Sequence, residues 1–191
     1  MQGRRSSMED EYCAMVELLH IWKKWSFFAI FDGHGGNHVS AYCSKHLLPA
    51  IIDLEIFEDS CTESSNSLPH FDVERIKLGI KEDGIGPLEQ PVSPEPDIDI
   101  FIRDDEFDEF IILISNGVYN ISSRNICNFV RYMLQVTDDL IYISNCIINA
   151  CLTKGSKDNM SVLIVILPGA PKVSKEIAEN DREINFEIQK T

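Results

Sequence analysis

Three short apolar runs constrain the fold of this chain more than any other sequence feature. They are Trp25–Phe31, Phe110–Ile114 and Met160–Leu167. All three are rich in aromatic and β-branched residues and are short, so they predict buried strands rather than helices. Apolar residues recur at helical spacing in three other segments, at residues 38–50, 124–135 and 138–151. Strands interleaved with amphipathic helices predict an α/β domain in which helices cover sheets.

Weaker patterns predict further elements around this framework. Glu11–Leu18 and the strictly alternating Asp97–Ile102 read as strands, and Val73–Ile80 reads as a short helix. Residues 81–96 contain four prolines, which exclude a long helix or a central strand there. Another amphipathic helix is predicted to begin at Ser174.

Cap residues and one helix face can also be predicted. The predicted N-cap residues of the three helices are Asn37, Ser122 or Ser123, and Thr137. The apolar face of the first helix is predicted to consist of Val39, Cys43, His46, Leu47 and Ala50.

Charge and cysteine usage narrow the classes of partner. A net charge of −14 argues against nucleic acid or an anionic membrane, because both repel an acidic surface. No apolar run approaches the roughly 20 residues that span a bilayer, and no secretory signal is recognisable. The six cysteines form no CxxC pair and predict reduced thiols in a cytoplasmic or nuclear protein.

Polar turns beside the predicted strands are the first candidates for chemistry. Asp32 and Gly33 follow the first apolar run, Asn116 follows the second, and Asp158 and Asn159 precede the third. Carboxylates that converge at one sheet edge repel each other unless a cation lies between them. Mg²⁺ and Mn²⁺ prefer such oxygen ligands, and two such ions can activate water for attack on a phosphoryl group. Ordinary turn chemistry is the alternative explanation, and the spacing alone leaves both open.

Four motifs in one order carry a family resemblance. They are RSSMED at 5–10, FFAIFDGHGG at 27–36, FIILISNGVYN at 110–120 and KGSKDNMSV at 154–162. SPEPDI, CNFVRYMLQVTDDL and PGAPKVS extend the match between and after them. Together these segments resemble the metal-dependent serine/threonine protein phosphatases of the type-2C (PPM) family, in particular the animal alpha/beta-type members. The resemblance covers about residues 1–80 and 86–180.

The resemblance implies a fold and a domain layout. It implies a PPM-type αββα sandwich over residues 1–170 and the start of a C-terminal helical extension over residues 171–191. The block that supplies central strands in the family is missing near residues 81–86, so the sandwich is expected to be incomplete. Open strand edges then favour self-association.

The resemblance also implies residue roles. Arg5 holds the substrate phosphate, and His34 is the general acid that protonates the leaving oxygen of phosphoserine or phosphothreonine. Two Mg²⁺ or Mn²⁺ ions are implied, and Asn159 is a supporting residue. The implied metal-centre residues are Glu9, Asp10, Asp32, Gly33, Asn116 and Asp158.

Two departures from the family pattern predict impairment: asparagine in place of aspartate after the second apolar run, and the missing central block near residues 81–86. Asn116 stands where the family has a metal-binding aspartate, and Asn120 replaces another aspartate. An amide oxygen carries no charge, so cations are expected to bind weakly. The sequence therefore leaves three hypotheses: a weak or inactive protein phosphatase that acts on phosphoproteins, a non-catalytic pseudophosphatase that binds them, and a truncated product without function.

Overall fold

A computed structural model describes residues 1–18, 25–52 and 97–173. The chain divides into two compact units. The first comprises Met1–Met15, Phe28–Ser44 and the chain from Arg103 onward, and the second comprises Val16–Phe27 and Lys45–Ile102.

The described residues form two small sheets and three α-helices. Strands β1 (Glu11–Met15) and β2 (Phe27–Phe31) form one two-stranded sheet. Strands β3 (Phe110–Ile114) and β4 (Val162–Ile166) form the other, in which they run antiparallel. The α-helices are α1 (His38–Ile52), α2 (Ser123–Met133) and α3 (Leu140–Thr153), and a 3₁₀ helix covers Asn116–Val118. The α/β fold class predicted from the sequence is confirmed.

The register of β3 and β4 explains how this sheet packs. Ile112 lies opposite Ile164, and Phe110 lies opposite Ile166. Directly opposed residues of an antiparallel pair project from the same face, so Ile112 and Ile164 share one face. Both pack against the buried core, whereas Ile111 is 47% exposed. One face of this sheet therefore carries the core contacts.

Helices α2 and α3 supply most of that core. Ile126 and Val130 of α2 are buried one turn apart, and Ile143 and Ile147 of α3 repeat the same spacing. Spacing by four residues places each pair on one helical face. The other members of the buried cluster that packs against β3 and β4 are Val118, Leu134, Ile148, Cys151 and Met160. The sequence predicted these helices correctly.

The N-cap residue of α2 is one of the two predicted, whereas the N-cap residue of α3 differs from the predicted one. The Ser122 hydroxyl accepts a hydrogen bond from the Asn125 N–H at 3.4 Å. The N-cap of α3 is Asp139, whose carboxylate accepts from the Tyr142 N–H at 2.9 Å. Thr137, the predicted cap, instead accepts from the Asp139 N–H. Aspartate is the stronger N-cap because its carboxylate also interacts favourably with the positive helix terminus.

Two other local predictions were wrong. Asp97–Ile102 is irregular and exposed, because strict alternation makes a strand only where a partner strand is available. In α1, Val39 is 66% exposed, and the buried residues are Ser40 and Leu48. Ser40 is buried because its hydroxyl donates to the Glu9 carbonyl oxygen, a contact that apolar periodicity cannot reveal.

Some expectations lie outside the described residues, namely those for residues 73–80, for 81–96 and for the helix after Ser174. In the part of the chain that is described, Cys13, Cys43, Cys127, Cys146 and Cys151 are free thiols. Among the helices of the described ranges, none has the length and apolar character needed to cross a membrane.

Candidate functional site

The three polar turns predicted from the sequence meet at one cavity of about 360 Å³ in the first unit. Asp32 and Gly33 follow β2, Asn116 begins the 3₁₀ helix after β3, and Asp158 precedes β4. The remaining lining residues are Arg5, Ser6, Ser7, Glu9, His34, Gly35 and Asn159. The structure therefore brings together most of the side chains that the sequence singled out.

Asp32 connects two of these turns. One of its carboxylate oxygens accepts a hydrogen bond from the Asn116 backbone N–H at 2.8 Å. The bond links the end of β2 to the end of β3, although 84 residues separate the partners in sequence. Because the donor is the main chain, this link does not depend on which side chain residue 116 carries.

Arg5 and Asp158 form a two-pronged ion pair in the cavity. Arg5 Nε donates to Asp158 Oδ1 at 2.8 Å, and Arg5 Nη2 donates to Asp158 Oδ2 at 2.9 Å. These hydrogen bonds hold the pKa of the Asp158 carboxyl below its usual range. The same bonds and the negative charge of Asp158 raise the pKa of the guanidinium. Both groups are therefore charged at neutral pH.

Glu9 is anchored through its side chain and its backbone. Its carboxylate accepts from the Gly36 N–H at 3.1 Å and from the Ser7 hydroxyl at 2.9 Å. These two bonds, the one from Gly36 foremost, lower the pKa of Glu9. Its carbonyl accepts from Ser40, so the chain before β1 is fixed against the start of α1.

The Asn159 side chain makes hydrogen bonds to three residues of the N-terminal loop, residues 2–9. Its side-chain N–H groups donate to the carbonyl oxygens of Gln2 at 2.7 Å and Ser7 at 2.9 Å. Its side-chain oxygen accepts from the Glu9 N–H at 2.8 Å. Only an amide side chain supplies two donors and an acceptor in one plane. One buried residue therefore holds both ends of the loop that carries Arg5.

Asp10 is placed differently from the other predicted residues. It is buried, and its carboxylate accepts from the Ser161 hydroxyl at 2.8 Å. The Ser161 N–H donates in turn to the Ser115 hydroxyl. Among the described residues, those that line the cavity do not include Asp10. Its role at a metal centre stays a prediction.

Sequence reasoning missed the residues that position Glu9. Ser7, Gly36 and Ser40 were not singled out, although each donates to Glu9. The spacing of Ser7 and Glu9, two residues apart in a turn, was the one available signal. The contacts from Gly36 and Ser40 depend on tertiary packing.

Gly33 packs so closely against the Glu9 backbone and the Ser40 hydroxyl that a larger residue does not fit. A β-carbon at this position would overlap with the Glu9 carbonyl oxygen and would press on the Ser40 hydroxyl. The turn after β2 can therefore approach β1 only because residue 33 lacks a side chain.

Replacement of Gly33 by alanine is accordingly expected to lower the free energy of unfolding by about 1–3 kcal/mol, as overpacking does. Gly35→Ala is the matched control, because a β-carbon at Gly35 meets open space. Its positive φ of 71° leaves only backbone strain, which is expected to cost about 1 kcal/mol. Thermal unfolding of both variants is the measurement. A smaller loss for Gly33→Ala than for Gly35→Ala would show that the turn relaxes freely.

The donor atoms of the cavity suit a hard divalent cation. They are the carboxylates of Asp32 and Asp158, the Asn116 amide and the Gly33 backbone, with Glu9 nearby. Oxygen donors of this kind are those that Mg²⁺ and Mn²⁺ prefer. In the described ranges, no three His, Cys, Asp or Glu side chains are arranged to hold a metal ion. The site therefore fits a cation by donor type.

The described residues form an α/β domain with an oxygen-rich cavity at its strand ends. Comparison with known families makes this specific, because the Protein phosphatase 2C model matches residues 1–75 and 65–160. The chain belongs to the Protein phosphatase 2C family.

Individual relatives agree with this assignment. Protein phosphatase 1A of Homo sapiens is 30% identical over 97% of this chain and 74% of its own length. Protein phosphatase 1B of Mus musculus is 28% identical over 99% of this chain and 74% of its own length. The alignment with the human protein runs over 281 positions, whereas this chain has 191 residues, so at least 90 positions lie opposite gaps in this chain.

Proposed function

We propose that this chain is a Mg²⁺- or Mn²⁺-dependent protein serine/threonine phosphatase whose active site is weakened. The observation that carries the proposal is the meeting of Arg5, His34, Asp32 and Asp158 at one cavity. Family membership and the relatives named as protein phosphatases support the same reaction.

Arg5 and His34 supply the groups that act on the substrate. A phosphate monoester is a dianion, and a guanidinium binds its oxygens with the same two-pronged geometry that Arg5 uses toward Asp158. His34 is exposed at the cavity, where its imidazole can give a proton to the serine or threonine oxygen that leaves.

The cation would be held by Asp32, Asp158, the Gly33 carbonyl and the Asn116 amide, with Glu9 and Asp10 in support. When bound, such cations neutralise phosphate charge and make a nucleophile available at neutral pH. Asn116 contributes no negative charge, so retention of the cation is expected to be poor. This deficit is the reason for proposing a weakened enzyme.

The direct test is phosphate release from a phosphoserine peptide in the presence of Mn²⁺. Asp32→Asn is the sharpest variant, because an amide oxygen can still accept from the Asn116 N–H while the charge is lost. Turnover is expected to fall at least tenfold in Asp32→Asn, and to remain unchanged in Asp138→Asn, an exposed residue outside the cavity. Equal rates for Asp32→Asn and the unmodified chain would refute the proposed active site.

A pseudophosphatase is the second candidate, and the neutral Asn116 favours it. In that case the chain binds a phosphoserine peptide without turning it over, and Arg5→Ala abolishes the binding while Asp32→Asn does not. The third hypothesis, a product without function, predicts that thermal unfolding lacks a cooperative transition.

We also propose a cytoplasmic or nuclear location and self-association through strand edges. The free thiols support the location. For self-association, the support is that each sheet of the described residues has only two strands, and that Ile111 and Ile166 are exposed. We further propose that the phosphatase domain ends near residue 170, and that it lacks a central block of the family near residues 81–86.

A further inference from the structure

Ser7 combines a basic sequence context with a place in the cavity, and the proposed function gives it no part. Arg4 and Arg5, the only adjacent arginines of the sequence, precede it by three and two residues. We propose that Ser7 is phosphorylated by a protein kinase that selects arginine on the N-terminal side of serine, and that the phosphate closes the cavity to phosphopeptides. The closure rests on the proposed function for the identity of the excluded ligand, whereas the modification itself does not.

The positive charges before Ser7 are accessible, whereas the negative charge three residues after it is not. Arg4, Arg5 and Ser7 are exposed and lie outside the helices and strands. Asp10 is only 5% exposed, and its carboxylate accepts from the Ser161 hydroxyl. Because kinases choose substrates by the charges around the acceptor, this loop suits an arginine-directed kinase better than an acid-directed one.

Phosphorylation removes the proton that joins Ser7 to Glu9. In the unmodified chain, the Ser7 hydroxyl donates to Glu9 Oε1 at 2.9 Å. The kinase moves the γ-phosphoryl group of ATP to Ser7 Oγ: an O–P bond forms there, the bond to ADP breaks, and the hydroxyl proton passes to a base of the kinase. The product carries about −1.5 to −2 charges at neutral pH, so it is repelled by the Glu9 carboxylate.

Arg5 is the group that attracts this phosphate. Ser7, Glu9 and Arg5 line one cavity, and Glu9 and Arg5 are close enough for their charges to interact. Arg5 directs Nε and Nη2 to Asp158, and its Nη1 can donate to a phosphate. A phosphate that is tethered two residues away reaches the guanidinium at a high effective concentration, so it prevails over a free phosphopeptide.

Treatment of the folded chain with ATP and the cyclic-AMP-dependent protein kinase, an arginine-directed enzyme, tests the modification. Mass spectrometry is expected to find phosphate on Ser7 in the unmodified chain and in Ser6→Ala, but no phosphate on this loop in Ser7→Ala. Ser6 is the matched control, because it is an exposed serine that also lines the cavity. Arg4→Ala is expected to slow the labelling about tenfold, because a charge-assisted contact with the kinase is lost.

The same treatment is applied to Asp32→Asn, because the proposed function makes that variant unable to remove its own phosphate. An absence of phosphate on Ser7 in both the unmodified chain and Asp32→Asn would overturn the inference. Equal labelling rates in Arg4→Ala and the unmodified chain would contradict the arginine-directed recognition.

The affinity for a phosphoserine peptide, measured by fluorescence anisotropy before and after kinase treatment, tests the closure. The proteins carry Asp32→Asn, so that the peptide is not consumed. Complete phosphorylation of Ser7 is expected to weaken peptide binding about tenfold, because Arg5 no longer serves the peptide phosphate. Treatment of the variant that also carries Ser7→Ala is expected to leave its affinity as it was. Unchanged affinity after complete phosphorylation of Ser7 would refute the closure.

The two measurements separate the inference from the proposed function. Phosphate on Ser7 in a chain that neither binds nor hydrolyses phosphopeptides would uphold the modification and refute the proposed function. Phosphopeptide turnover that depends on Asp32, in a chain that takes no phosphate on Ser7, would do the reverse.

Discussion

Replacement of Asn159 by aspartate is expected to lower the free energy of unfolding by about 2–5 kcal/mol, because two buried hydrogen bonds are lost. Aspartate keeps the acceptor for the Glu9 N–H but cannot donate to the carbonyl oxygens of Gln2 and Ser7. Those carbonyls would then face a buried negative charge. The loop that carries Arg5 is expected to detach, so phosphopeptide binding is expected to fall along with stability.

Chemical denaturation of Asn159→Asp measures the effect on stability. Asn149→Asp is the matched control, since it makes the same chemical change at an exposed position of α3. The control is expected to lie within about 0.5 kcal/mol of the unmodified chain, as surface substitutions usually do. A loss in Asn159→Asp no larger than in the control would mean that the N-terminal loop is held by other contacts.

Replacement of Asn116 by aspartate is expected to raise phosphatase activity at least tenfold, yet leave it well below that of Protein phosphatase 1A under the same conditions. The added carboxylate strengthens cation retention, and each tenfold in rate corresponds to about 1.4 kcal/mol of barrier. Full recovery is not expected, because active-site groups need packed neighbours to hold them within about 0.5 Å. The relatives contain at least 90 aligned positions that this chain lacks, so such neighbours are fewer here.

Phosphate release with Mn²⁺, measured for the unmodified chain, Asn116→Asp and Asn120→Asp, checks this expectation. Asn120 is the matched control, because the resemblance predicts a family aspartate at this position as well, but Asn120 does not line the cavity. Equal gains in the two variants would assign the effect to general charge. Activity of the unmodified chain equal to that of Protein phosphatase 1A would contradict the proposed impairment.

The parts of the fold that depend on local pattern could be predicted from the sequence. FIILI at 110–114 became β3, and the apolar spacing of Ile126 with Val130 and of Ile143 with Ile147 located α2 and α3. These elements follow from periodicity, which the chain carries in itself. The convergence of Asp32, Asn116 and Asp158 could also be predicted, because turns at strand ends tend to meet at a sheet edge.

The errors arose where a choice depended on tertiary contacts. Asp97–Ile102 alternates like a strand but has no strand partner among the described residues. In α1, Ser40 is buried although it is not on the predicted apolar face, because its hydroxyl donates to the Glu9 carbonyl oxygen. The central position of Asn159 was underestimated for the same reason, since its partners lie about 150 residues away in sequence.

The hydrogen bond from the residue 116 N–H to Asp32 makes the geometry of this turn independent of the side chain at position 116. Because the Asp32 carboxylate is held by a main-chain N–H, the side chain at position 116 can change from acid to amide without loosening the turn. A chain of this kind can therefore lose catalytic power gradually while its binding surface persists. In the proposed pseudophosphatase, such a surface would serve as a receptor for phosphorylated proteins.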